Sequence, residues 1–296
     1  MLPSGYRDSG TQNSKKRNVL TSYQLFLLAK LETWNKRTAL ATDSFFTDLF
    51  KAQYYLCPFK GIYYLFCSSI YWNEAMMIFL VYMSKFLLFT FLYYFTVFPF
   101  VLGINTVLFG PLGITVAVVH SLMHVNLYAT SVTRVGCLGH VAAILEKLFA
   151  DKKAPTELAR RIHQPAHHEV LEKRDWTQSL SMFAAKTTIL FVVFSILFCV
   201  SLVPIIGIVL VKLLRSGSIG YDYFFFHLIR PKAFGKRSRD VFYREIGKFI
   251  AFGIVSGALE LIPILSGITV TSNFLGSGIC VLEQSQLLEN SSLSSI

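Results

Sequence analysis

The stretch Ile246 to Glu283 reads IGKFIAFGIVSGALELIPILSGITVTSNFLGSGICVLE, and only Lys248 and Glu260 are charged before the closing Glu283. A helix rises about 1.5 Å per residue, and the hydrocarbon core of a bilayer is about 30 Å thick. The first arm, Phe249 to Ile262, therefore reaches only about 21 Å. Pro263 lacks a backbone donor and crowds the turn before it, so the helix should stop or kink there. Ser266 and Gly267 give the backbone room to turn, and a second arm, Ile264 to Val281, is rich in Gly, Ser and Thr. The pattern reads as a broken or re-entrant hairpin. One long tilted span kinked at Pro263 is the alternative. Gly253 and Gly257 sit four apart, as do Ser272 and Gly276. Small residues at that spacing let helix backbones approach closely inside a membrane.

Composition points the same way. Of 296 residues, 53% are hydrophobic and 15% charged, with a mean hydropathy of +0.52. Soluble domains carry about 25% charged residues. The net charge of +11, on so apolar a chain, suggests cytosol-facing loops and anionic lipid head groups before nucleic acid. The five cysteines are scattered without a C-x-x-C pair, so neither a zinc site nor a disulfide framework is indicated. Residues 1–20 are polar and read as disordered, and Leu25 to Leu49 as a short amphipathic surface helix.

Tyr54 to Ile70 is aromatic and apolar but interrupted by Pro58, Lys60 and Gly61, which suggests an interfacial segment. Ala75 to Phe98 is the strongest span, with Lys85 as its one charge. A second apolar run, Val101 to about Val125, carries Gly110-Pro111-Leu112-Gly113. The two runs suggest a tight helical hairpin, or else one long helix kinked at Pro99 and Pro111. Residues 128–186 hold nine Lys or Arg and six Asp or Glu and read as a surface loop domain. Thr187 to Val211 is apolar, with Pro204 and Gly207 near its end. Basic loops stay cytosolic, so loops 127–186 and 212–245 on one face require this segment to dip in and return near Pro204-Gly207. A translocated long loop is the other resolution. Residues 284–296 read as a disordered tail.

The fold expected is thus an all-α, polytopic integral membrane protein. It should have about four apolar helical elements, some of them broken or re-entrant hairpins, in a membrane domain spanning 51–283.

No catalytic, cofactor or metal site is expected. His163, His167 and His168 beside Glu169 and Glu172 lack a continuous helix to align them, because Pro165 intervenes. His120 and His124 share a helical face and could hydrogen-bond between helices. Lys85 and Glu260 are the charges that stand well within apolar runs. Such charges are costly and face a partner or water, so the expectation is that they meet, or that Glu260 lines a polar pathway. Pro263, Gly267, Asn273 and Gly276 complete the candidate intramembrane residues.

Leu259-Glu260-Leu261-Ile262-Pro263-Ile264, followed by Thr271-Ser272-Asn273-Phe274-Leu275-Gly276, resembles the C-terminal signature of the etoposide-induced-protein/CysZ-like membrane superfamily. More narrowly, it resembles the fungal lipid-droplet and outer-spore-wall assembly proteins, over about residues 55 to 283. Gly110-Pro111-Leu112-Gly113 fits the same pattern. The resemblance implies a non-enzymatic protein of endoplasmic reticulum and lipid droplets, reaching the prospore membrane or spore wall and assisting spore-wall assembly. Membrane lipids would be its partners, with a homo-oligomer allowed and no nucleic acid. Bacterial members of the superfamily are sulfate permeases with half-penetrating helices, so a small-anion transporter or channel is the alternative. Gly278-Ile279-Cys280-Val281 departs from the aromatic or acidic stretch that related fungal chains carry there, which speaks against transport.

Overall fold

The computed structural model of the chain describes residues 28, 31–152, 187–188, 191–193, 195–225 and 236–293. These form helices joined by short turns, with no strand among the described residues. The helices are α1 (31–48), α2 (Ala52–Cys67), α3 (Trp72–Thr96), α4 (Phe98–Phe109), α5 (Gly113–Gly136) and α6 (Leu138–Asp151). They continue as α7 (Phe191–Ser201), α8 (Ile206–Leu214), α9 (Ser216–Phe224), α10 (Lys236–Arg244), α11 (Ile246–Leu259) and α12 (Ser266–Leu293).

Three sharp reversals organise these helices. The first falls at Gly110, whose φ of +59° suits a residue without a side chain. Beyond it Gly113 backs onto α4, and a Cβ there would lie 2.2 Å from the Asn105 carbonyl oxygen. The long apolar run is thus folded on itself, with α3 and α4 as a kinked ascending arm and α5 descending. The sequence placed the break at Phe98-Pro99. Proline at the start of α4 kinks the arm there, and the reversal comes twelve residues later.

The second reversal lies between α7 and α8. Ile205 has a φ of +60°, and a Cβ on Gly207 would meet the Val200 carbonyl at 2.1 Å. The chain reverses near Pro204-Gly207. The third lies between α11 and α12, where Ile264 has a φ of +71°. Cross-links at Asn273 to Ser256 and at Gln284 to Lys248 make these two helices antiparallel.

The three turns point the same way at successive levels along α5. The 260–266 turn lies beside Asn126, whose amide donates to the Glu260 carbonyl. The 202–205 turn lies beside His120, which accepts from the Ile205 amide. The 110–112 turn joins the start of α5. About 9 Å and about 12 Å of helix separate these levels. No Asp, Glu, Lys or Arg occurs in 86–133, 187–211 or 261–282. The tips instead expose Phe100, Val107, Leu112, Ile206, Ile262 and Ile264.

Below the tips, α2, α6, α9, α11 and α12 pack into the main core with the start of α3. Glycines permit the closest approaches. A Cβ on Gly61 would lie 1.9 Å from the Ser272 oxygen, one on Gly276 2.4 Å from the Cys57 oxygen, and one on Gly253 1.8 Å from the Ser216 oxygen.

Several expectations need correction. Among the described residues, two apolar helical runs, Ser69–Thr96 and the folded Phe98–Gly136, are long enough to cross a membrane, and Phe191–Ser201 and Ile246–Leu259 are shorter apolar helices. Residues 128–151 are the end of α5 and the whole of α6, with Val141, Ile144, Leu145 and Leu148 buried. That part of the expected loop is core. Residues 212–224 and 236–244 are likewise helical rather than loop. The expected disordered tail continues α12 as far as Leu293. Tyr54 to Ile70 contains an unbroken helix through Pro58, because Gly61 and Cys57 seat it against α12. The N-terminal disorder and the histidines at 163, 167 and 168 lie outside the described residues.

Candidate functional site

Glu260 caps the end of α11, and the structure gathers polar side chains from four other helices around it. It is fully buried. Arg134 of α5 donates to its Oε2 at 2.9 Å, and Lys212 of α8 lies 3.7 Å from the same oxygen. Tyr223 of α9 donates to Oε1, and Asn273 of α12 donates to Oε1 at 3.1 Å. Asp222 completes the charges, 3.7 Å from Arg134 Nε. The cluster therefore holds two cations against two carboxylates, which is how charge is tolerated away from water.

The Glu260 carbonyl is equally engaged. It accepts from Lys212 Nζ at 2.7 Å, Asn126 Nδ2 at 2.7 Å and Ser266 Oγ at 2.9 Å. A helix C-terminus carries unpaired carbonyls and partial negative charge, and here an ammonium and two neutral donors satisfy it. Asn126 in turn accepts from the Tyr82 hydroxyl at 2.9 Å, and that hydroxyl accepts from the Ile264 amide at 3.3 Å. The turn after α11 is thereby bolted to α3 and α5. Both carboxylate oxygens and the carbonyl of Glu260 are spent on protein groups, so the cluster acts as a pin.

Each sequence candidate has a definite place. Asn273 belongs to the cluster. Gly267 packs on Phe79 and Tyr82, and a Cβ there would lie 2.8 Å from both rings. Pro263 sits in the turn, where its carbonyl accepts from the Leu265 amide at 2.9 Å. Gly276 belongs to the α2 contact. Lys85 does not meet Glu260: its Nζ donates to the Val132 carbonyl at 3.2 Å, capping the end of α5. The partners of Glu260 are Arg134 and Lys212, which sequence reasoning assigned to polar loops. The signal was available, since Asn126, Thr130, Thr133 and Arg134 fall on one face of a helix that continues the apolar run.

A second buried network joins α3, α5 and α7. His124 Nδ1 lies 2.8 Å from the Tyr93 hydroxyl, and Nε2 lies 3.0 Å from Ser201 Oγ. Ser201 donates its proton to the Phe198 carbonyl at 2.7 Å. His124 Nε2 must then donate to Ser201, leaving Nδ1 to accept from Tyr93. The trio ties α3, α5 and α7 together. His120 accepts from the Ile205 amide at 3.3 Å, which fixes the second turn. At the base, Lys60 meets Glu283 at 2.5 Å, and that carboxylate holds the ammonium above its ordinary range.

The fold and these networks define an all-helical chain of stacked apolar hairpins, held at their bases and middles by buried polar bonds. Among known proteins it is similar to three from Saccharomyces cerevisiae. It is 26% identical to outer spore wall protein LDS1 over 258 residues, covering 86% of this chain and 78% of the relative. It is 22% identical to outer spore wall protein RRT8 over 290 residues, covering 90% and 84%. It is 24% identical to outer spore wall protein LDS2 over 286 residues, covering 92% and 79%. No protein-family model matches the chain, and no solved structure matches it.

Proposed function

We propose that the chain is a non-enzymatic membrane protein that inserts its hairpins from one face, resides on endoplasmic reticulum and lipid droplets, and assists outer spore wall assembly. One observation carries the reading: three turns point in the same direction with no charge beyond the paired Glu260 cluster at the third, and the remaining described charges lie toward the base. A droplet is covered by a monolayer over oil, so it offers one aqueous face. Charge is prohibitively costly in oil, and this arrangement puts none beyond the tips. The basic segments then share the cytosolic face and meet anionic head groups. The relatives' names support the biological setting, and their similarity extends over most of the chain.

A fluorescent fusion followed through sporulation tests this. Rings around droplets and a reticular signal are expected in resting cells, with redistribution to the prospore membrane or spore wall later. Deletion should leave spores with a defective outer wall. A diffuse cytosolic signal, or walls of normal permeability after deletion, would overturn the proposal.

A further inference from the structure

Helices α2 and α12 cross antiparallel, and their contacts form a ladder with one rung per turn. At the base, the Gln284 amide donates to the Tyr54 hydroxyl at 2.9 Å. Toward the tips, a Cβ on Gly61 would lie 2.6 Å from the Gly276 nitrogen, and one on Gly276 2.4 Å from the Cys57 carbonyl oxygen. Cys57 and Cys280 occupy the rung between these two. Both are free thiols, 1% and 2% exposed. They hydrogen-bond each other across the interface.

The glycines on the next rung set the distance. Helices that meet through ordinary side chains run about 8–10 Å apart. A disulfide needs Cα atoms about 4.4–6.8 Å apart. Facing glycines let backbones touch, which brings the neighbouring pair of sulfurs within bonding reach.

The surroundings favour oxidation. The Cys57 thiol donates toward Cys280, and the ammonium groups of Lys248 and Lys60 add positive potential there against the one carboxylate of Glu283. Such a setting favours the thiolate, which is the reactive form. Lys60 and Glu283, one turn nearer the base, keep side chains 38% and 42% exposed. The pair is therefore buried shallowly, in a way that excludes a bulky oxidant and admits one of about the size of water.

We propose that Cys57 and Cys280 are a reversible redox pair whose disulfide clamps α2 to α12, with hydrogen peroxide as the oxidant. The Cys280 thiolate attacks one peroxide oxygen and the O–O bond breaks, leaving a sulfenic acid and a hydroxide. The hydroxide takes the Cys57 proton and becomes water. The Cys57 thiolate then attacks the Cys280 sulfur, the S–O bond breaks, and the departing hydroxide takes up the proton first lost by Cys280. Two thiols and one peroxide thus give one disulfide and two waters. A dithiol reductant reverses the change. The bond joins the first helix of the main core to the last, so it closes most of the chain into one loop.

The test uses the full-length, reduced chain in detergent micelles, treated with hydrogen peroxide. Remaining thiols are then blocked with a maleimide, and the peptides are mapped by mass spectrometry. A peptide linking Cys57 to Cys280 is expected, lost on treatment with dithiothreitol. The oxidised chain should unfold about 5–10 °C higher than the reduced one, and Cys280→Ala should abolish that difference. The comparison of oxidised with reduced parent protein stands even if the variant does not fold. If both thiols take up maleimide after peroxide, or Cys57 links instead to Cys67, Cys137 or Cys199, the pair is overturned. A Cys57–Cys280 link that leaves the unfolding temperature unchanged overturns the clamp.

Discussion

Arg134 and Glu260 stand 126 residues apart in sequence and form an ion pair at 2.9 Å, with side chains 2% and 0% exposed. The pair joins the descending arm of the first hairpin to the turn of the third. It also explains why a glutamate is tolerated at the end of an apolar helix. Arg134 and Lys212 face its carboxylate, while Tyr223 and Asn273 fill the remaining oxygen.

Removing one member of a buried pair strands the other. Arg134→Met should therefore destabilise the protein by about 3–5 kcal/mol, measured as thermal or denaturant unfolding in detergent micelles. Adding Glu260→Gln should recover part of that loss. Lys85→Met should combine additively with either change, because Lys85 caps α5 from outside the cluster. Coupling between Lys85 and Glu260 would contradict the geometry.

Glycine positions separate close contact from open surface. Gly61→Ala would drive a methyl into the Ser272 carbonyl oxygen, 1.9 Å away and part of rigid backbone. A loss of about 1–3 kcal/mol or more is expected. Gly103 lies inside α4 with nothing within 4 Å of an added Cβ. Gly103→Ala should raise stability by about 0.5–1 kcal/mol. Equal effects at both positions would show that α2 and α12 are not packed at this distance.

The hairpins themselves were legible in the sequence, because proline and glycine interrupt long apolar runs and basic charge collects between them. Glu260, Pro263, Gly267 and Asn273 could be singled out for the same reason. The partners of Glu260 could not be reached by looking only for charges inside apolar runs. Arg134 follows a polar stretch, Asn126 to Thr133, that lowers the hydropathy and mimics the end of a helix. Those residues are polar because they face the buried cluster or bond back to the helix, and the helix runs on through them. Lys212 was misplaced similarly, as the end of a span, whereas it reaches back to cap α11. The helical continuation past Gln284 carries no apolar period strong enough to announce it. Its first turn is fixed by long-range bonds from Gln284 to Lys248 and Tyr54.

His124 ties α7 to α3 and α5 through two hydrogen bonds. His124→Phe should remove its bonds to the Tyr93 hydroxyl and to Ser201 and cost about 2 kcal/mol. Tyr93→Phe in that background should cost little more, since the coupling has already been lost. Because Ser201 gives its proton to Phe198, a fluorophosphonate probe should not label it. Stoichiometric labelling of Ser201 would show instead that the trio works as a nucleophile.

The third hairpin closes at its base, where Lys248 donates to Gln284 at 2.8 Å, so α12 returns to the level at which α11 began. Pro263, Ser266 and Gly267 make this return feasible. Proline ends the helix, Ser266 donates to the Glu260 carbonyl, and Gly267 fits against Phe79 and Tyr82. Replacing all three with leucine supplies strong helix formers and bulk where the turn has no room. One continuous apolar helix through this region should then carry residues 284–296 to the opposite side of the membrane. A C-terminal epitope should become protected from protease in intact microsomes. With a polar segment on the far side, transfer to a monolayer would bury it in oil, at prohibitive cost. The variant should therefore remain in the endoplasmic reticulum and leave droplets bare. If its epitope is protected and it still coats droplets as the parent does, one-sided insertion is not what permits the transfer.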